Sequence, residues 1–493
     1  MGNNRRNLFI NGEWVDARGG ATFPVYNPST GEVWSNVADA SRADARAAIE
    51  AAQAAFPAWS GMAHSARARI VHKIGDLLEA RAQEYQDVLI DEGGSWVGKG
   101  MFETGYSSGV YRAAAAAAYQ SNGEILPSDH GKLSLVVREP LGVVSVISPW
   151  NFPLILSSRG FAVAMAVGNC VVLKPSEETP VAGGLLIAEI LEEAGVPPGV
   201  FNVVTCSRDN VAEVGDELLA NPIVNGVSFT GSTAVGTQIA AKAGGLLKKC
   251  CVELGGKDAL LVLDDADIEH AVNAATFGSF MHQGQICMSV ERIIVDKSVA
   301  EEFTEKFVAN TRKLKVGNPR ELANCIGPII NQKQLDKIRE QVDEAVQQGA
   351  KILCGGGNEG LFLEPTVLGN VTSQMRIFKE ETFGPVAPII VAEDVDNAVA
   401  LANDSDYGLS AGIITRNEER GLDVARRLRT GMAHINDSSV NDEPHVPFGG
   451  IRASGLGRHG GKQGIDTFTE TRWITLERGG RHYPPPFLMN PGR

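Results

Sequence analysis

The stretch "VVSVISPWNFP", residues 143–153, runs five β-branched or small residues straight into a loop stiffened by two prolines. Four similar runs follow it: Cys170–Leu173, Val200–Val204, Val224–Phe229 and Cys250–Glu253. Their starts fall 27, 30, 24 and 26 residues apart, which is room for a strand, a crossover helix and two turns. This spacing predicts an α/β fold built on a doubly wound, mostly parallel sheet. Ligands of such sheets bind beyond the carboxyl ends of the strands, so the residues after each run are the ones to read for chemistry. A second series starts near Ala259 and continues through "RIIVD" at 292–296, a helix after Ser298 and "GPVAPIIVA" at 384–392. It predicts a second α/β unit.

Outward from these runs, the N-terminal "LFINGEWVDA" alternates around Asn11-Gly12, a hairpin signal. Ser41 with Asp44 forms a capping box before an Ala-rich helix, and Ile70, Ile74, Leu77 and Leu78 make an apolar stripe on the next. The segment "LSLVVREPLG" at 133–142 and the C-terminal "RHYPPPFLMN" read as peripheral strands or arms able to pair with another subunit.

A chain of 493 residues exceeds the size at which one core stops growing, so several domains are expected. The formal charge of -14 argues against nucleic acid and against an anionic membrane surface, both of which attract clustered Lys and Arg. Seven cysteines, odd in number and without C-x-x-C spacing, read as reduced thiols. The start "MGNNRRNLFING" has no apolar signal core, and Ala113–Ala118 is too short to cross a bilayer. A soluble cytoplasmic protein is expected.

Each strand end carries a candidate group with two readings. Asn151, between Pro149 and Pro153, is either part of an Asx-type turn or an amide that donates to a developing oxyanion. In "KPSEETP", Lys174 and Glu177 are either a solvated ion pair or a donor and acceptor for ribose and phosphate. "FTGSTAVG" has Gly231 and Gly236 five apart, so it is neither the G-x-G-x-x-G fingerprint nor a Walker loop. Ser232 or Thr233 there is a plain helix cap, or the helix start seats one phosphate of a dinucleotide. In "VELGGKDA", Glu253 is a salt-bridged strand residue or a general base in the crevice. In "HQGQICMSVER", Cys287 taken alone is an inert buried thiol or a nucleophile approached past Gly284. No metal site competes for it, since His282 has no second ligand at metal spacing. The glycine-rich "PFGGIRASGLGRHGG" at 447–461 is expected to close the domains together.

Taken in order, PWNFP, KPSE, FTGSTxVG, ELGGK, GQxC, EExFGPV and PFGGxxxSGxGRxxG resemble the aldehyde dehydrogenase superfamily along nearly the whole chain. The texture around "HQGQICMSVERI" is most similar to benzaldehyde, vanillin and salicylaldehyde dehydrogenases. The resemblance implies a Rossmann-like NAD-binding domain at 1–121 and 143–255, a catalytic domain at 256–467, and an oligomerisation element at 122–142 and 468–493. It implies attack on the aldehyde by Cys287, an oxyanion held by Asn151, and hydrolysis of the thioester by water that Glu253 activates. Trp150, Lys174, Glu177, Gly231, Ser232, Gly236, Leu254, Glu381 and Phe383 would contact the cofactor. Glu177 would repel a 2'-phosphate, so NAD is expected, with Lys174 leaving NADP within reach. Phe280, Met281 and Met288 suggest an apolar pocket for an aromatic or hydrophobic aldehyde. Arg159 would anchor a carboxylate in the alternative, a catabolic semialdehyde dehydrogenase, or would pair a carboxylate of the protein. Relatives imply a homodimer or homotetramer. A catalytically silent relative is the alternative from another class.

Overall fold

The computed structural model describes residues 6–120, 123–480 and 483. The five runs form five adjacent parallel strands, in the spatial order Phe201–Val203, Cys170–Lys174, Val143–Ile147, Val224–Thr230, Lys249–Glu253. The chain therefore builds outward from Val143–Ile147 in one direction, then returns to its other side with Val224–Thr230. That reversal is a switch point, where the loops leaving the two central strands diverge and open a crevice. The N-terminal hairpin pairs Leu8–Ile10 with Glu13–Val15 through Asn11 (φ 56°) and Gly12 (φ 77°), and adds an antiparallel edge.

At the opposite edge, Gly455–Leu456 lies antiparallel to Val252 and Glu253. Residues assigned from sequence to the second unit thus complete the first sheet, and Ile465 and Phe468 join its core. The second sheet runs Lys351–Cys354, Thr366–Gly369, Val386–Ala392, Val290–Asp296, Asp258–Val262, Ala411–Ile414, His434–Ile435. Alternation sorts its side chains: Leu261 and Ile294 enter one core, while Leu260, Val262, Ile293 and Val295 enter the other. Both faces are covered, which is why these strands read as unbroken apolar runs.

Ser41 and Asp44 form the expected reciprocal cap on the helix Arg42–Ser60. Gly123–Leu126, Leu133–Pro140 and Thr469–Leu476 make a separate antiparallel sheet that leaves Ile125, Leu126, Trp473 and Leu476 exposed. Of the arm read in "RHYPPPFLMN", only Tyr483 falls within the described residues. No helix among the described residues is long and apolar enough to cross a membrane.

Candidate active site

The crevice at the switch point is a cleft of about 680 Å³. Trp150, Asn151, Lys174, Glu177, Gly231 and Ser232 line it from the strand ends, and Leu254, Glu381 and Phe383 close its far part. Ser232 sits at the start of the helix Thr233–Gly245 but makes no side-chain cap bond. Thr233 Oγ1 is also diverted, donating to the Ala453 carbonyl at 3.0 Å. The first-turn NH groups are left without a side-chain cap and the Ser232 hydroxyl has no capping bond, which suits a phosphate. Lys174 Nζ lies 3.8 Å and Arg208 3.5 Å from the Glu177 carboxylate. This donor and acceptor set fits the pyrophosphate and ribose of a dinucleotide.

Gly236 is a correction: it does not line the cleft. A Cβ there would fall 2.0 Å from Leu254 Cδ2, so its role is to let Leu254 pack against the helix.

Cys287 follows a tight turn in which His282 (φ 49°), Gln283 (φ 57°) and Gly284 (φ 68°) are all left-handed. Such backbone costs about 1–3 kcal/mol per non-glycine residue and persists only where surroundings impose it. Here Gln283 Nε2 donates to the Pro328 carbonyl at 2.9 Å, and Gln285 Oε1 accepts the Ile330 NH at 3.0 Å. Asn151 Nδ2 donates to the Gln285 carbonyl at 3.0 Å, latching the asparagine loop to the cysteine turn. Burial pushes the Cys287 thiol well above its ordinary pKa; Asp258, Glu381 and Glu253 push the same way, and Arg159 opposes them.

Glu253 ends its strand 2% exposed, and neither carboxylate oxygen has a well-formed hydrogen bond. Burial pushes its pKa well up, against weaker pulls from Arg458, Arg159 and the Gly450 NH. Gly449 makes the space it occupies: a Cβ at that residue (φ 151°) would stand 2.3 Å from Glu253 Oε1. The Cys251 thiol and a His459 ring nitrogen offer atoms within 4.8 Å of the carboxylate. Glu253 lines neither the cleft nor the cavity described next.

That second cavity, of about 150 Å³, meets the cleft at Asn151, Leu156 and Cys287, which line both. Its walls include Phe152, Phe277, Met281, Met288 and Phe448. Phe280 is a second correction. It stacks on Phe307 at 5.9 Å inside the core of the second sheet, and Phe277 takes the place expected for it. Phe277 and Met281 stand four apart and share a side of the chain, whereas Phe280 falls on the side facing the helix Ala300–Thr311. Arg159 lines the cavity with its guanidinium paired to Asp442.

Two supports were not visible in the sequence. Buried Glu103, paired with buried Lys99, accepts the NH groups of Leu154 (2.9 Å) and Ile155 (3.2 Å) at the start of the helix that follows Asn151. Buried Glu291 accepts Lys257 Nζ and the NH of Thr382 and of Phe383, each at 2.7 Å. It thereby holds Phe383 at φ 59°, edge-on to Trp150 with ring centres 5.4 Å apart. Neither glutamate stands in a motif that announces a partner dozens of residues away. Glu291→Ala is expected to lower stability by about 3–5 kcal/mol, because Lys257 is left buried and unpaired. The denaturant midpoint of the purified variant measures this, and an unchanged midpoint would contradict the assigned role.

A dinucleotide-sized cleft that meets an apolar cavity at a cysteine, on a doubly wound sheet, fits the class of α/β oxidoreductases. Residues 14–474 match the aldehyde dehydrogenase family, and the chain belongs to it. It is 44% identical over 480 residues to a vanillin dehydrogenase of Pseudomonas fluorescens, covering 97% of this chain and 99% of that one. A benzaldehyde dehydrogenase of Pseudomonas putida, NAD(+)-linked by name, is 44% identical over 473 residues, covering 96% of both. Among solved structures, a salicylaldehyde dehydrogenase of Pseudomonas putida G7 complexed with salicylaldehyde superposes with a TM-score of 0.95 at 41% identity, covering 97% of this chain and 99% of that one. The protein is an oxidoreductase acting on aldehydes.

Proposed function

We propose that the protein oxidises an aromatic or similarly hydrophobic aldehyde to its carboxylic acid with NAD, without transfer to coenzyme A. The observation that carries this reading is the junction of the cleft and the apolar cavity at Cys287 and Asn151. The first α/β unit with its cleft is the cofactor domain, and the second, carrying Cys287, is the catalytic domain. Lys174, Glu177, Ser232 and Gly231 hold the adenosine and pyrophosphate side of NAD, while Trp150, Leu254, Glu381 and Phe383 enclose its nicotinamide side. Bound NAD supplies the acceptor for the hydride that leaves the substrate carbon. Glu177 on the cleft wall favours NAD over NADP, by repulsion of a 2'-phosphate.

Cys287, once deprotonated, adds to the aldehyde carbon and forms a thiohemiacetal. The oxyanion accepts from the second amide hydrogen of Asn151 and from the Cys287 NH. Loss of hydride leaves a thioester. Glu253 removes a proton from water, whose oxygen adds to the thioester carbonyl; the thiol is released and the acid carries the water oxygen.

The semialdehyde alternative needs a free cation for a carboxylate. Arg159, the cation on the cavity wall, is already neutralised by Asp442, which weighs against it. The apolar strip of Ile125, Leu126, Trp473 and Leu476 supports assembly into a homodimer or homotetramer. NADH absorbance with benzaldehyde-type and succinate-type semialdehydes, run with NAD and NADP, tests the whole reading. Oxidation of the aromatic series with NAD is expected, and failure on every aromatic aldehyde would overturn it.

A further inference from the structure

Glu253 stands where neither cavity reaches, and two other metal-ligating side chains stand there with it. Cys251 and Glu253 are two apart on the strand Lys249–Glu253, so their side chains share one face. His459 reaches them from the loop whose Gly455–Leu456 pairs with Val252 and Glu253. One donor atom from each residue lies within 4.8 Å of the other two: the Cys251 sulfur, a Glu253 carboxylate oxygen and a His459 ring nitrogen. All three residues are buried.

The cluster is suited to something small and positive. Both Glu253 oxygens are buried without a well-formed hydrogen bond, an arrangement that calls for a partner. Arg458 is turned to the backbone instead, its Nη1 donating to the Gly450 and Gly457 carbonyls at 2.7 and 2.6 Å. Glycine clears the space: a Cβ at Gly449 would stand 2.3 Å from Glu253 Oε1, and one at Gly457 3.0 Å from the Cys251 sulfur. The His459 ring is held by a hydrogen bond between its Nε2 and Ser228 Oγ at 3.0 Å. Burial pulls its pKa down to about 3, with Arg159 pulling the same way, which leaves the neutral imidazole that metals bind. Burial and then Glu253 push the Cys251 thiol up, as happens where two acids share a site with too little positive charge.

A thiolate, a carboxylate and a neutral imidazole carry two negative charges, which a divalent ion cancels, so the buried set becomes neutral. Sulfur and nitrogen donors select Zn²⁺ over Mg²⁺ and Ca²⁺, which take oxygen. Zn²⁺ bonds of about 2.0–2.3 Å place tetrahedral ligands roughly 3.5 Å apart, so the donors have on the order of 1 Å to close. Three protein ligands leave the fourth position to water. We propose that Cys251, Glu253 and His459 form a binding site for Zn²⁺ that holds the base away from the thioester and so inhibits turnover. The sulfur–zinc bond forms as the thiol proton leaves to solvent. The inhibition rests on the reading of Glu253 as the base given above; the site itself does not.

Zn²⁺ added to the full-length, chelator-treated enzyme is expected to lower steady NADH formation by about 10²–10⁴-fold, the loss that follows removal of a general base. A burst of NADH near one per active site should survive, because the ion sits away from Cys287. Cys251→Ala is expected to keep turnover without zinc and to raise the half-inhibiting Zn²⁺ concentration about a hundredfold, since even a support of a ligand is worth roughly 10–100-fold in affinity. Co²⁺ reads the site without activity, in Cys287→Ala, which lacks the nucleophilic thiol. One equivalent with a sulfur-to-cobalt charge-transfer band is expected, displaced by Zn²⁺ and lost when either Cys251→Ala or His459→Gln is added. Burst and steady rate lost together, a half-inhibiting concentration unchanged in Cys251→Ala, no Co²⁺ band, or a band that survives without Cys251 would overturn the proposal. A Co²⁺ band lost with Cys251, in an enzyme whose turnover Zn²⁺ leaves untouched, upholds the site and removes the reading of Glu253 as the base.

Discussion

Cys287→Ala is expected to lose aldehyde-dependent NADH formation by a factor on the order of 10⁴ or more in kcat, as follows when a covalent nucleophile is removed. The variant should still bind NADH, read by fluorescence of the bound dinucleotide, because Cys287 is only one of many side chains lining the cleft, most of them on the loops of the first sheet. It should also unfold near the wild-type midpoint, since the change removes one sulfur at the margin where the cleft and the cavity meet and leaves the packed cluster beside it in place. NADH formation at the wild-type rate would remove the thiohemiacetal from the mechanism. The raised thiol adds a pH signature in the wild-type enzyme. Below its pKa the thiolate fraction rises about tenfold per pH unit, so alkylation of Cys287 by iodoacetamide should climb at about that rate from neutral into alkaline pH. A flat profile would mean that the thiolate is already formed at rest.

The second large effect separates the two halves of the reaction. Glu253→Gln keeps the shape of the side chain and removes its basicity, so the first turnover should proceed and the thioester should then accumulate. Mixing enzyme with NAD and substrate is expected to give a burst of NADH close to one per active site. A steady rate lowered by about 10²–10⁴-fold should follow, the usual reach of general-base catalysis. Burial raises the Glu253 pKa, and only the ionised form accepts a proton from water. Wild-type steady turnover should therefore fall as pH drops through that raised pKa, and the Glu253→Gln steady phase should lack this limb. Loss of the burst together with the steady rate would assign Glu253 to the first half instead. The carboxylate sits against Gly449 and lines neither cavity, so the burst experiment also tests whether it reaches water on the thioester side.

The sheet was legible because the five runs are regular and buried on both faces, which gives them continuous apolar composition. The loops at the switch point were legible for the same reason: once the strands are known, Asn151 and Ser232 can only follow their carboxyl ends. Cys287 was legible only through the company of the other motifs, since its own neighbours describe an ordinary buried thiol. What escaped depends on contacts between distant segments. Phe277 and Phe280 are equivalent in composition, and only packing against Phe307 decides which of them meets the cavity. The Arg159–Asp442 pair joins residues 283 apart in the chain. Glu291 reads as an ordinary strand residue until Thr382 and Phe383 are brought to it.

Gly455–Leu456 was equally hidden, being two residues in a glycine-rich loop with no strand propensity. Its antiparallel pairing covers the Val252–Glu253 end of the Lys249–Glu253 strand, whose outer backbone groups would otherwise be open to a passing chain there. A parallel sheet left open on that side would be a template for edge-to-edge aggregation. The loop that makes room for the proposed base also shortens the open edge of the first sheet.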